Sequence, residues 1–451
     1  MHKRLVAQLL RAFLVAVIVF SFGASAATNK LSTSFELKNG LKVVIIPNHR
    51  VPVVCHMLWF KTGSNEDPED LGGVAHYFEH MMFKGTNTLK EGEFSKKIAQ
   101  VGGNDNAFTS YDYTAYYQVV SKDHLPLVMQ LEADRMQNLL IDEKSAEIER
   151  SVISEERRSS IENNPSSMLA EKMRASLYQN TGYGRPIIGS MAEIAKIPAV
   201  KLREYYRAHY SPNNATLVIS GDVTETEVRS LAEKYYGSIP AIHIAPRENP
   251  SRKTITRRDP IVYYDSKVKV PEWHRYYVAP SIMQDGIEHA FPTMLLSYIL
   301  GGSETSVLYR HLVNDKKIAA YIGVRYDIMS RGRSTFSIYA VPSETVSVAT
   351  LQNAIEREIK QFLNTGIDDE TMTRVKNLLI AEDIYSRDSI QQMAYAYGQA
   401  LTVGLNSDVM ENWSAHVKAV TAKQVIDEAT ELFSNDTPFV TGHLLPEVKK
   451  P

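Results

Sequence analysis

Cysteine is nearly absent: Cys55 is the only one in 451 residues. One thiol cannot close an internal disulfide, so stability must come from a packed core. Excess charge of one sign is missing too. Fifty basic side chains stand against 52 acidic ones, a net charge of −2, which leaves no electrostatic footprint for nucleic acid. Long apolar runs are also lacking. The best candidate, Ala12 to Phe22, is about half of the ~20 residues that a bilayer span needs.

That short run has a different reading. Lys3 and Arg4 precede it and Ala24-Ser25-Ala26 follows it, the charged, apolar and small-x-small order of a cleavable export signal. We expect cleavage after Ala26, with no stable membrane anchor afterwards and no lipid anchor, since no cysteine lies near the cut. A periplasmic or secreted chain is the consequence. Cys55 lies in "VPVVCHMLWF", a strand-like run that should bury it.

With 44% hydrophobic residues, the chain is long enough for about two domains. Asn39-Gly40, between two β-rich runs, predicts a hairpin. Val53 to Phe60 reads as a buried strand. The stretch 240–260 is rich in proline and basic residues and reads as a linker. The expected organisation is a signal peptide at 1–26, a domain over 27–240, a linker over 241–260 and a second domain over 261–451.

Element order is duplicated across that linker. "IPAVKLREYYRAHYSPNNATLVISGDV" and "VTAKQVIDEATELFSNDTPFVTGHLLP" both read helix, turn, strand. "DYTAYYQVVSKDHLPLVMQLEADRM" and "RSTFSIYAVPSETVSVATLQNAIEREI" both read strand, loop, amphipathic helix. The fold class that follows is α+β: two homologous domains, each a mainly antiparallel β-sheet packed with α-helices.

Chemistry concentrates in "GGVAHYFEHMMFKGT". Val74, Phe78, Met81 and Met82 recur at helical spacing, which predicts a helix with an apolar face. On it, His76 and His80 are four apart and lie within ~40° of one another. Two imidazoles can thus meet one metal ion, with Glu79 beside them, placed to hold water rather than metal. The order H-x-x-E-H is the inverted zinc-peptidase motif. A catalytic zinc takes a third protein ligand. The segment "EIERSVISEERR" offers one, because Glu149, Val152, Ile153 and Glu156 share a helical face. Carboxylates on such a stripe should be buried, and burial without a counter-charge is costly. A dication resolves that cost, whereas Glu155 should face solvent. His56 and His209 have no ligand-spaced neighbour and read as structural.

These residues, with "ELKNGLKVVIIP", "GGNDNAFTSYDYTAYY", "GRPIIGS" and "YSPNNATLVISGDV" in order, resemble the pitrilysin, insulysin and mitochondrial processing peptidase family over nearly the whole mature chain. The resemblance implies His76, His80 and Glu156 as ligands of one Zn2+ per chain, Glu79 as general base and Glu149 as a carboxylate outside the ligand set. It also implies a zinc-dependent endopeptidase acting on oligopeptides or unfolded segments. Substrate would add as a strand along the backbone of Asn106, Ala107 and Phe108, while the aromatics Tyr111, Tyr113, Tyr116 and Tyr117 mostly face the core. Two-domain members of that family supply half of a clamshell, which implies a dimer: a heterodimer with a paralogue lacking the zinc motif, or a homodimer. The family's second half lends a tyrosine and an arginine to the substrate. Tyr321 matches the tyrosine, but the arginine position holds Val313, with Arg310 and Arg325 as alternatives. A non-catalytic subunit should have lost part of the zinc set, which is complete here. A non-haem iron oxygenase would leave Glu79 without a role.

Overall fold

Asn39-Gly40 turns the chain back on itself, and Gly40 does so with a left-handed φ of 85°. The Asn39 amide fastens the turn by donating to the carbonyls of Tyr236 and Ile239, at 2.7 and 2.9 Å. In the computed structural model, which describes residues 30–179, 181–247 and 259–447, this hairpin joins β1 (Thr33–Glu36) to β2 (Lys42–Pro47). The expected signal segment lies outside the described residues, as do residues 248–258 of the expected linker. No helix among the described residues is long and apolar enough to cross a membrane.

The first sheet continues with β3 (Val53–Phe60), β4 (Asn104–Thr109), β5 (Thr114–Ser121) and β6 (Ala215–Gly221). Its order is β1-β2-β6-β3-β5-β4. Strand β3 is central and buried on both faces, as its unbroken apolar run requires, and Cys55 is fully buried within it. One face takes the first half's own helices: α1 (Val74–Met81), α2 (Leu125–Asn138), α3 (Glu143–Arg157) and α5 (Ala199–His209) form the layer around one apolar core. Helix α4 (Pro165–Leu177) follows α3 in the chain.

The second sheet consists of β7 (Ile261–Asp265), β8 (Glu272–Ala279), β9 (Ala319–Tyr326), β10 (Ser334–Pro342) and β11 (Phe439–Pro446), in the order β7-β11-β8-β10-β9. Strand for strand this repeats β2-β6-β3-β5-β4. In each sheet the first-named pair is parallel, β2 with β6 and β7 with β11, and the remaining pairs of the repeat are antiparallel. The duplicated segments occupy matching places. Helix α6 (Val348–Thr365) follows β10 as α2 follows β5, and α8 (Ala422–Leu432) precedes β11 as α5 precedes β6.

Helix exchange ties the halves together. Helix α7 (Ile390–Val403), from the second half, packs on β6 and β3 of the first sheet, covering the face formed by Cys55, Met57 and Trp59. Glycine permits the contact: a Cβ on Gly398 would lie 2.0 Å from the Trp59 indole. In return α4, from the first half, packs on β11, β7 and β8, where a Cβ on Gly442 would lie 2.3 Å from Met173 Sδ. A polar junction adds to this. Glu66 accepts from Arg247 and Arg331, both at 2.9 Å. Asp112 accepts from the Tyr183 hydroxyl at 2.6 Å and from the Arg331 N–H at 3.0 Å.

Candidate metal centre

Helix α1 begins where the backbone has little room. Gly73 is left-handed at φ 92°, and a Cβ there would meet the Ile188 carbonyl at 2.5 Å. The buried Asp67 carboxylate accepts from the N–H groups of Gly73 and Ala75, at 2.7 and 3.0 Å, satisfying donors that every helix start leaves open. Burial pushes the Asp67 carboxyl up to about 8, against the pull of those two bonds. Val74, Phe78, Met81 and Met82 are all buried, in line with the helical spacing. Their side turns inward, and the opposite side presents His76, Glu79 and His80 to the cleft.

One nitrogen of His76, one of His80 and one Glu156 oxygen lie within 4.8 Å of each other. His76 Nε2 is 3.8 Å from Glu156 Oε1, and His80 Nε2 is 3.4 Å from Glu156 Oε2. Four-coordinate zinc, with bonds of 2.0–2.2 Å, sets its donor atoms about 3.3–3.6 Å apart. The spacing fits. The chemistry fits as well, with two imidazoles, one carboxylate and a buried Glu156 Oε2 that has no hydrogen-bond partner. Among the described residues this is the one group of three or more such side chains arranged to hold a metal.

The surroundings fix these donors. Glu149 Oε1 lies 2.8 Å from His80 Nδ1, which leaves Nε2 directed at Glu156. Lys84 closes on the other Glu149 oxygen and also donates to Glu91 at 2.7 Å. Burial would raise the Glu149 carboxyl, but the bonds to His80 and Lys84 outweigh it and lower it. Burial likewise acts to lower His80, and the bond to Glu149 with the nearby Glu156 carboxylate reverses this, taking it up to about 9. His76 has no such carboxylate on its second nitrogen, and burial followed by its His80 neighbour holds it down at about 4. Glu156 is lowered, first by the adjacent His80 ring at 3.4 Å. Glu79 is raised by burial, partly relieved by the Thr109 hydroxyl, which donates to its Oε2 at 2.5 Å.

Not every sequence expectation survives. The α3 stripe was expected to bury Val152, which is 47% exposed. The buried face of α3 centres on Ala146, Glu149, Ile153 and Arg157, and at 100° per residue Val152 falls past its edge. Glu156, also expected to be buried, sits nearer that edge with its side chain 43% exposed, where it is held by the helix yet reaches the cleft. Glu155 is exposed, as expected. His56 is wholly buried between Gln118 and Tyr236, a core histidine. Two contributors escaped the sequence: Thr109, at the end of β4, and Lys84, in the turn that follows α1.

Asn106, Ala107 and Phe108 lie on β4, an edge strand bonded only to β5. The Asn106 side chain covers the Ala107 N–H at 2.8 Å. The Phe108 ring stands edge-on to Trp59 at 5.4 Å. Tyr321 is 47% exposed on β9, its ring against Tyr309 and Tyr339. Val313 packs on the second core. Arg310 lines a pocket with His311 and Glu358, away from the residues of the metal group, whereas Arg325 faces the cleft between the halves.

A cavity of about 510 Å3 opens beside the metal group and is lined by His76, Thr109 and Glu156. It shares Tyr111, Arg174 and Tyr276 with a second cavity of about 620 Å3 between the halves.

Residues 42–191 match the family model described as Insulinase (Peptidase family M16), and residues 196–379 match the one described as Peptidase M16 inactive domain. The chain is 26% identical over 450 residues to the zinc protease PqqE of Helicobacter pylori, covering 96% of this chain and 98% of that one. It is 24% identical over 404 residues to the uncharacterized zinc protease YmxG of Bacillus subtilis, covering 89% and 96%. The crystal structure of a protease from Helicobacter pylori superposes with a TM-score of 0.86 at 26% identity, over 92% of this chain and 99% of that one. The first half of the periplasmic protease PqqL from Escherichia coli superposes with a TM-score of 0.76 at 21% identity, over 92% of each chain.

Proposed function

The chain belongs to peptidase family M16, the insulinase family, and from that premise we propose that it is a zinc-dependent endopeptidase. His76, His80 and Glu156 would hold one Zn2+ per chain, and Glu79 would serve as general base. The observation that carries this reading is the three-donor group gathered within 4.8 Å, with the Glu79 carboxylate on the histidines' face of α1 and an open cavity in front. A zinc ion bound there supplies Lewis acidity, acidifying water and polarising a scissile carbonyl. The chain's own residues do the rest. Glu79 takes a proton from the attacking water and returns it to the leaving amine. Thr109 holds Oε2, so Oε1 is the atom free to move the proton, and burial raises the basicity of that carboxylate. Glu149 keeps His80 in the tautomer whose Nε2 is a donor to metal.

Substrate in this reading is an oligopeptide or unfolded segment. It adds as a strand along Asn106, Ala107 and Phe108, on the open edge of the strand that ends at Thr109, and Tyr321 reaches it from the second half. The zinc-binding domain is 27–240 and the second domain 261–451, joined through 241–260. The chain is exported after loss of residues 1–26, and it works as half of a dimeric clamshell.

Metal content and peptide hydrolysis, measured before and after chelation and zinc readdition, test the activity. Glu79→Gln is expected to keep zinc and lose hydrolysis, while His76→Ala, His80→Ala and Glu156→Ala lose both. Turnover by Glu79→Gln at the wild-type rate would remove Glu79 from the role of base. Mass measurement in solution tests the assembly: a fully active homodimer would exclude a zinc-less paralogue as obligate partner.

A further inference from the structure

Arg174 stands on α4 where the two cavities meet, and lines both. Its guanidinium lies over the rings of Tyr111, at 4.8 Å, and Tyr178, at 5.6 Å. Stacking of this kind holds the plane of the fork but leaves its N–H edges to find acceptors in that plane. None is supplied: among the described residues the Arg174 side chain makes no hydrogen bond and no ion pair.

Its neighbours are engaged. Arg157 is paired with Glu171 and also donates to the Gly189 carbonyl. Arg185 donates to the carbonyls of Asp67 and Pro68, and Arg333 pairs with Asp285. Of the carboxylates other than Glu156 that line the two cavities, Glu171 is held by Arg157, Asp112 by Tyr183 and Arg331, and Glu382 by the Tyr298 hydroxyl, while Asp327 accepts from the Met329 N–H at 2.9 Å and makes no hydrogen bond to Arg174. What remains is a planar, pre-oriented donor fork with no acceptor, facing the cavity that His76, Thr109 and Glu156 also line. The group that matches such a fork is a carboxylate, which accepts two parallel N–H bonds.

We infer that Arg174 is a substrate-recognition residue that takes a carboxylate of a peptide entering the cleft, from an acidic side chain or a free C-terminus. The inference rests on the peptidase reading, and makes the enzyme prefer peptides that carry a negative charge at a defined distance from the cleaved bond. Arg325, on the opposite wall, also has no side-chain partner among the described residues and would draw the same charge inward without stacking to orient it.

The test measures binding apart from turnover. Labelled short peptides are titrated by fluorescence anisotropy into the full zinc-loaded chain carrying Glu79→Gln. The probes are a neutral peptide with an amidated C-terminus, the same peptide with one Glu placed at successive positions, and the same peptide with a free C-terminal carboxylate. At least one charged probe is expected to bind roughly 10- to 100-fold more tightly than its neutral twin, as a charge-assisted bond allows. Adding Arg174→Met should bring that ratio close to one, and Arg174→Lys, which keeps charge but not the fork, should leave it intermediate. A preference among the Glu probes assigns the site to a side chain, and one for the free acid assigns it to the C-terminus. Equal binding of all probes by the Glu79→Gln chain, or a ratio that Arg174→Met leaves intact, overturns the inference. Hydrolysis by the unmutated chain is scored separately. Absence of hydrolysis alongside an Arg174-dependent binding ratio would defeat the peptidase reading and leave the recognition site standing.

Discussion

Thr109 and Glu149 act on the candidate centre at one remove. Thr109→Val removes the donor to Glu79 Oε2 at nearly constant shape. The base then loses its orientation, and kcat is expected to fall about tenfold, the worth of one hydrogen bond, with zinc content unchanged. Glu149→Gln should instead weaken zinc affinity or rate by about 10- to 100-fold, read by competition with a chelator. His56 makes a different prediction. Gln118 donates through its amide nitrogen to Glu132 at 2.6 Å, so its carbonyl accepts from His56 Nδ1–H, and the neutral Nε2 accepts from Tyr236. Burial lowers His56 from 6.5 to about 4. Between those values the unfolded chain binds a proton that the folded chain refuses, so stability is full above pH 6.5 and is lost as pH falls. The loss from this residue is about 2 kcal/mol at pH 5. Urea titrations of the zinc-free chain at pH 7 and pH 5 should show it, and His56→Gln should show a correspondingly smaller pH dependence.

At the scale of elements, the readable parts were those with a local period. Val74, Phe78 and Met81 announced α1 and the direction of its histidines, and Asn39-Gly40 announced the hairpin. The duplicated order of strand and helix announced two like sheets. What sequence did not carry is contact between distant segments. Thr109 meets Glu79 because β4 ends against α1, and Lys84 meets Glu149 because α1 crosses α3; neither has a period of its own. Val152 was misplaced because a four-residue stripe does not locate the centre of the buried face. Gly398 is the instructive case, since a glycine inside a helix ordinarily costs about 1 kcal/mol against alanine. Its reason is Trp59, more than three hundred residues away in the chain. Gly398→Leu should lower stability by at least 1–3 kcal/mol, the usual cost of overpacking, and lower the melting temperature without touching the metal group.

At the scale of the molecule, sheets, helices and junction interlock across the cleft. Glu66 and Asp112 of the first half hold Arg331 of the second, so the walls of the two cavities are set by both halves at once. The cleft therefore depends on residues far from the candidate metal group.

The exchanged helices bear on how the chain melts. With α7 removed, Met57 and Trp59 would face water, and with α4 removed the same would befall β11 and β8. Neither half is then a thermodynamic unit, despite two sheets and two cores. Scanning calorimetry of the zinc-free chain should give one endotherm whose van't Hoff and calorimetric enthalpies agree, where a pair of independent domains would give two. A gene cut into its two halves should yield fragments that aggregate when made singly and recover a folded complex when made together.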